Sequence, residues 1–284
     1  MILEEIKKNE LEKIFDKNSK SVFSFLLKRT LISYPEHLEG QNEKSIYLEK
    51  KQCEQWIVQS LGLVPVGEGS YPIDGVREEN NAKIGFDVST VNWGLTKTGK
   101  NQKETGEKSL SQKFDDSNFG IEGDTLDELF KNKKFTEILN SWKEILKNKW
   151  NNVIQEKSLE YISLITLVKH SALNKMYILG LKIIPENINH CFVRPIKNNN
   201  TDPKSVFVDN FINEELGSVK IYKAKKRMEL RIRPKKWIDN GSYLEFNYEF
   251  KDKSRNLRNE FSSNKKKFLM NQVRNYIKFI REFY

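Results

Sequence analysis

Residues 54–93 read EQWIVQSLGLVPVGEGSYPIDGVREENNAKIGFDVSTVNW. The stretch opens with an amphipathic segment whose apolar side chains follow helical spacing. Three short extended runs follow, at 63–66, 71–77 and 83–92, and the polar link at 78–81 has the composition of a hairpin loop. The stretch therefore predicts one helix and then three strands, of which the last two pair antiparallel.

Each of the last two runs carries one aspartate among apolar residues, Asp74 in YPIDGV and Asp87 in IGFDVST. A carboxylate in a half-buried strand is costly to desolvate. A hairpin can place these two residues side by side, about 5 Å apart across the ladder. Two like charges at that distance repel unless a cation lies between them, and Mg²⁺ prefers such oxygen ligands. The alternative is structural: Asp74 caps a turn before Gly75, and Asp87 pairs with a nearby lysine.

The order helix, strand, strand with Asp, hairpin, strand with a second acid resembles the αβββ beginning of the PD-(D/E)XK nuclease superfamily, and within it the type II restriction endonucleases. Asp74 in Pro72-Ile73-Asp74 matches the first motif position, and Asp87 matches the second. The motif lysine is replaced by Ser89. The resemblance covers about forty residues.

This resemblance implies a Mg²⁺ site and a set of catalytic residues. Asp74 and Asp87 would bind the metal, with the backbone carbonyl of Val88 as a third ligand. Glu54 matches the helix glutamate that supports a second metal or orients water in some members. Ser89 cannot supply the motif's positive charge. Lys83 is a candidate for that role, because it lies at even spacing from Asp87 and so on the same strand face, and Lys97 or Lys100 could also reach the site from the following loop.

The composition, 37% hydrophobic and 31% charged, is typical of a globular protein. No apolar run reaches the roughly 18 residues of a membrane span, the first residues do not resemble a signal peptide, and the only cysteines are Cys53 and Cys191. We therefore expect a cytoplasmic protein without membrane contact. A homodimer is one assembly to which the N-terminal helices could contribute.

Positive charge is concentrated late in the chain, whose formal net charge is +10. Residues 218–236 contain nine Lys or Arg and one Glu. Residues 251–284 contain ten Lys or Arg and three acidic residues. This distribution is expected of a face that binds a polyanion, here double-stranded DNA. The alternative is a lysine-rich solubilising surface. The candidate DNA-binding residues are Lys97, Lys100 and Lys103 in a polar loop, and Lys223, Lys225, Lys226, Arg227, Arg231 and Arg233 in a hairpin.

The predicted fold class is α/β in the broad sense, an α+β fold with a mixed sheet. A restriction-endonuclease-like core at 46–197 follows an N-terminal helical segment at 1–45. A β-rich basic part with a C-terminal helix occupies 198–284, and all three could form one continuous domain. The predicted function is Mg²⁺-dependent cleavage of double-stranded DNA. A non-catalytic nucleic-acid-binding protein and a ribonuclease or toxin-like nuclease are the alternatives.

Overall fold

The computed structural model describes residues 1–32, 48–66, 71–79, 82–93, 106–111, 125–170, 174–195, 203–247 and 257–282. The helices are α1 (Lys8–Ile14), α2 (Lys17–Ile32), α3 (Lys50–Ser60), α4 (Leu126–Lys131), α5 (Phe135–Lys157), α6 (Pro234–Asp239) and α7 (Leu257–Arg281). The strands are β1 (Leu3–Glu5), β2 (Val64–Pro65), β3 (Gly75–Glu79), β4 (Ala82–Trp93), β5 (Gly106–Ser109), β6 (Tyr161–His170), β7 (Lys175–Ile183), β8 (Phe192–Val193), β9 (Ser205–Asp209), β10 (Gly217–Tyr222), β11 (Arg227–Ile232) and β12 (Leu244–Asn247).

Seven strands form a mixed sheet, called here the first sheet. Its order is β1-β7-β6-β4-β3-β2, and β12 also pairs with β7. The pairing is antiparallel except between β4 and β6, which run parallel. Parallel neighbours need a long crossover, and α5 supplies it. This mixed sheet with helices confirms the predicted α+β class. Its long central strands β6 and β7 are mostly apolar and buried, as strands covered on both faces are.

The first sheet is covered on both faces. One hydrophobic cluster joins α2 and α3 to the face that carries Phe86 and Val88. The other joins the opposite face to α5, through Trp142, Leu146 and Trp150. These α5 residues recur at helical spacing, which is why this 23-residue helix can cover the sheet with one apolar stripe.

The second sheet is antiparallel, in the order β5-β11-β10-β9-β8. Its apolar face, with Val206, Val219 and Leu230, belongs to the same hydrophobic cluster as α5. The two sheets therefore share one core. Helix α5 belongs to this core and packs against β6 of the first sheet.

The boundaries expected at residues 45 and 198 do not separate structural units. Strand β1 pairs with β7, so the N-terminal segment contributes to the first sheet. The second sheet takes β5 and β8 from the range 46–197, and β12 from the basic part returns to the first sheet. The alternative of one continuous domain fits these pairings. In the described parts of the chain, no helix is long and apolar enough to cross a bilayer.

Candidate active site

The site lies where β4 runs past its partner β3. Pairing between the two strands extends from Glu79–Ala82 to Gly75–Phe86, and β4 then continues to Trp93. Beyond the pairing, two backbone N–H groups of β4 donate to side-chain carboxylates. Val88 N donates to Asp74 Oδ2 at 2.6 Å, and Thr90 N donates to Glu54 Oε1 at 2.9 Å. Two carboxylates thus replace a neighbouring strand along this edge.

Asp74 and Asp87 are adjacent in the hairpin register. The Gly75–Phe86 pair places Asp74 opposite Asp87, and Asp74 N donates to the Phe86 carbonyl at 2.8 Å. Partial burial of the carboxyl and the negative charge of Asp87 raise the pKa of Asp74, against the hydrogen bond from Val88. Burial and the charge of Asp74 also raise the pKa of Glu54. The site therefore contains three carboxylates. The charge of Asp87 destabilises the ionised form of Asp74, and the charge of Asp74 destabilises the ionised form of Glu54.

Lys108 supplies a positive charge to this carboxylate group. Its Nζ lies 3.1 Å from Asp87 Oδ1, and its side chain is 6% exposed. Lys108 comes from β5, the edge strand of the second sheet. The Lys108 ammonium has lost most of its hydration, which costs free energy. The ion pair with Asp87 offsets part of this desolvation cost.

Gly106 permits β5 to approach β4 this closely. A Cβ at Gly106 would lie 2.8 Å from Val91 Cβ and 2.9 Å from Val91 Cγ2. Val91 is four residues beyond Asp87 on the same face of β4. The absence of a side chain at 106 therefore brings Lys108 within reach of Asp87.

The amine of Lys149 on α5 interacts with the charges of the same two residues, Asp87 and Lys108. Its Nζ donates to the Leu110 carbonyl at 2.9 Å, just after β5. Burial lowers the pKa of Lys149; the positive charge of Lys108 also lowers it, while Asp87 opposes the shift. Helix α5 and strand β5 thus bring two lysines from distant parts of the sequence towards one aspartate.

The oxygen donors at the edge of β4 suit a hard cation. In a strand, the N–H and C=O of one residue point to the same edge, and the Val88 N–H faces Asp74. The Val88 carbonyl therefore points to the Asp74 edge as well. Among the described residues, no group of three or more His, Cys, Asp or Glu side chains is arranged to hold a metal ion. The oxygen donors near this edge are the carboxylates of Asp74 and Asp87 and the Val88 carbonyl, and oxygen is the ligand type that Mg²⁺ takes in proteins.

Ser89 and Lys83 lie apart from these donors. Ser89 is buried, and its hydroxyl lies 3.4 Å from the Thr166 hydroxyl of β6. Lys83 is exposed near the beginning of β4, opposite Glu78. Four residues of strand separate it from Asp87, about 13 Å. The structure brings Lys108, and not Lys83, to Asp87.

No protein-family model, curated protein or solved structure matches this chain.

The basic hairpin is β10–β11, and its turn contains Lys223, Lys225 and Lys226. Its charges have acidic partners. Lys225 Nζ lies 3.2 Å from Glu229 and 3.4 Å from Glu107, and Arg231 Nε lies 3.1 Å from Glu107. The positive charges of Lys225 and Arg231 are thus partly balanced within the protein.

Two further hairpin arginines differ from each other. Arg227 is exposed at the start of β11. Arg233 follows the end of β11, and its guanidinium donates to the Glu214 carbonyl at 2.8 Å. The apolar residues of β11 face the core as predicted, but Glu229 on the other face is only 5% exposed. Lys97, Lys100 and Lys103 lie outside the described residues.

Sequence reasoning missed Lys108, Lys149 and Glu107. The run Gly106–Ser109 is short and polar, so neither periodicity nor composition distinguishes it from a loop. Lys149 is one of several lysines of α5, and nothing in its local sequence distinguishes it from the others. The position of Lys108 is set by the long-range pairing of β5 with β11, for which the local sequence carries no signal.

Proposed function

We propose that this protein is a Mg²⁺-dependent endonuclease that cleaves double-stranded DNA, of the type II restriction kind. One observation carries the proposal: Glu54, Asp74 and Asp87 gather at the open edge of β4, beside the buried amine of Lys108. The elements α3, β2, β3 and β4 also follow the αβββ order of the nuclease resemblance. A carboxylate pair with a lysine is suited to phosphodiester hydrolysis.

Asp74, Asp87 and the Val88 carbonyl are the proposed metal ligands. When bound, Mg²⁺ would polarise the scissile phosphate and lower the pKa of a bound water. Mutual repulsion between the two aspartates favours a cation at this position, because the cation removes the cost of holding both ionised.

Lys108 takes the place that Ser89 cannot fill. Its ammonium lies beside Asp87, close enough to stabilise negative charge on a phosphate that approaches the aspartates. Glu54 remains on the α3 side of the edge, where its second oxygen can hold a water. Lys149 fixes the end of β5 through the Leu110 carbonyl and so positions Lys108.

One observation favours the non-catalytic alternative. Asp87 already pairs with Lys108, as the structural interpretation of the aspartates expects. An ion pair that persists in the complex would keep Asp87 from a metal, and the basic hairpin would then bind nucleic acid without cleaving it. The two functions differ in one outcome, the metal-dependent loss of intact substrate.

The test is incubation of plasmid DNA and of a structured RNA with the purified protein, in Mg²⁺ and in EDTA. We expect DNA cleavage in Mg²⁺ only, with discrete bands for a restriction enzyme. Asp74→Ala or Asp87→Ala should abolish cleavage and leave DNA binding largely intact, because phosphate contacts elsewhere remain. Cleavage by both variants would exclude this site, and cleavage of RNA alone would select the ribonuclease.

Metal binding also has a readout that is independent of activity. A ligand that binds only the folded state raises the melting temperature. Mg²⁺ should therefore raise the melting temperature of the parent protein and have little effect on Asp87→Ala.

A further inference from the structure

Glu107 on β5 lies within the basic face of the second sheet. Tyr222 Oη donates to Glu107 Oε1 at 3.0 Å, Arg231 Nε lies 3.1 Å from the same oxygen, and Lys225 Nζ lies 3.4 Å from Oε2. The Glu107 carboxylate thus faces a hydroxyl donor and two cations, and one of these cations, Lys225, also lies 3.2 Å from the buried Glu229.

The register of the sheet explains why these groups meet. Glu107 pairs with Arg231 across the β5–β11 ladder, and Tyr222 pairs with Arg227 across β10–β11. Successive residues of a strand face opposite ways, so Glu107 lies on the outer face of the sheet and Lys108 on the inner face, towards Asp87.

Glu107 is held as an anion. Partial burial acts to raise the pKa of Glu107, but hydrogen bonds with Tyr222 and Glu229 and the charges of Lys225 and Arg231 outweigh it and lower the pKa. A neighbouring cation, Lys220, lies with its Nζ 4.2 Å from the Phe207 ring centre. Burial and the charge of Arg231 lower the pKa of Lys220, so positive charge is crowded here. The donors that meet the outer oxygens of Glu107 are of the kind that binds a phosphate oxygen.

We propose that Tyr222, Lys225 and Arg231 form a phosphate-binding site for the backbone of duplex DNA, and that Glu107 occupies this site in the free protein. A DNA phosphate competes with the Glu107 carboxylate for the same donors. The inference rests on the proposed function for its ligand, since duplex DNA is the substrate proposed there. It adds that the binding surface is partly blocked by an acid of the protein itself.

The test is Glu107→Gln, which removes the negative charge and keeps the shape of the side chain. Binding to a short fluorescent duplex is measured by anisotropy in EDTA, so that no cleavage is required. We expect Glu107→Gln to bind about three- to tenfold more tightly. The dependence of log affinity on log salt should steepen by about one unit, as one more phosphate is neutralised.

Glu214→Gln is the matched control, because it makes the same charge change at an exposed acid that pairs with Arg194 instead. It should alter affinity less than twofold and leave the salt dependence unchanged. Equal effects of the two variants would mean that only net charge matters. Weaker binding by Glu107→Gln would mean that Glu107 merely positions the cations. Either result overturns the proposal.

Arg231→Gln completes a cycle of variants. Its loss of affinity should be larger in the Glu107→Gln background, where a phosphate has no internal competitor. An equal loss in both backgrounds also contradicts the proposal. Glu107→Thr, with a residue suited to an edge strand, repeats the test if the glutamine variant folds poorly.

The outcomes also separate this inference from the proposed function. Tighter binding by Glu107→Gln without any Mg²⁺-dependent cleavage by the parent would leave the phosphate site standing and remove the nuclease. Mg²⁺-dependent cleavage by the parent, with unchanged DNA binding by Glu107→Gln, would support the nuclease and exclude the phosphate site.

Discussion

Lys108 is the residue on which the catalytic proposal most depends. Its amine is buried against Asp87, whereas Lys83, on the same strand as Asp87, is exposed and about 13 Å away along the strand. The two lysines are therefore a natural pair for comparison, since they differ in position and not in chemistry.

We predict that Lys108→Met lowers kcat for DNA cleavage by about 10²–10³-fold, the usual cost of losing one charge-stabilising group. Lys83→Met should change kcat less than twofold. Steady-state cleavage rates of the two variants in Mg²⁺ provide the measurement. A larger effect at Lys83 would assign the catalytic cation to that residue instead.

At the pH where the proposed activity needs Asp74 and Glu54 ionised, these two carboxylates should lower the free energy of unfolding. The pKa values of Asp74 and Glu54 are raised in the folded state, in each case by burial and by the charge of a neighbouring aspartate. Their contribution to stability is fully present below the unfolded pKa values, about 3.9 and 4.3, and is lost as pH rises through the folded values. At neutral pH the ionised pair therefore disfavours the fold.

We accordingly predict that Asp74→Asn and Glu54→Gln raise the melting temperature at pH 7. Both keep an oxygen acceptor for the Val88 and Thr90 N–H groups. The gain should shrink as pH falls towards 4 and vanish below it. Thermal unfolding between pH 3.5 and pH 8 tests this, with Glu78→Gln, an exposed acid of β3, as control. A lower melting temperature at pH 7 would contradict the electrostatic account.

At the scale of elements, β5 joins the two sheets, and its approach to β4 depends on Gly106. Gly106→Ala should force β5 away from Val91 and cost about 1–3 kcal/mol of unfolding free energy, as overpacking does. Cleavage should fall further than stability explains, because Lys108 moves with the strand. Denaturant unfolding and cleavage rates measure both effects.

Ser109→Ala, at the exposed end of the same strand, is the control for this change. It should leave cleavage within about twofold, because it adds no atom near Val91. If Gly106→Ala behaved like this control, β5 would have room to accept a side chain, and the close approach to β4 would not be what places Lys108.

The sequence predicted some elements well because their signals are local. The β3–β4 hairpin was expected from its polar turn, and the apolar stripe of α5 and the apolar runs of β6 and β7 are signals of the same local kind. Strand β5 was missed because its identity comes from pairing with β11, about 120 residues later in the chain. The pairing of Asp87 with a lysine was foreseen as an alternative, but no spacing rule could select Lys108.

At the scale of the whole molecule, the chain passes back and forth between the sheets. Strands β1–β4 lie in the first sheet, β5 in the second, β6 and β7 in the first, β8–β11 in the second, and β12 in the first. A single cut at residue 198 therefore separates strands that pair with each other.

We predict that fragments 1–197 and 198–284 do not fold independently, and that the intact chain unfolds in one cooperative transition. Circular dichroism of each fragment, and denaturant unfolding of the whole chain followed by two probes, test this. A fragment 198–284 with a cooperative transition of its own would restore the boundary that composition suggested.

The long-range pairing of β5 also has a consequence during synthesis on the ribosome. Gly106–Ser109 emerges long before Glu229–Ile232, its partners in the ladder. At ~5–20 residues per second, this interval is roughly 6–24 s. The lysine of the candidate active site is held in place by a strand that cannot pair until the basic hairpin has been made. A nascent chain therefore completes its proposed DNA-binding hairpin before, or together with, its proposed cutting site.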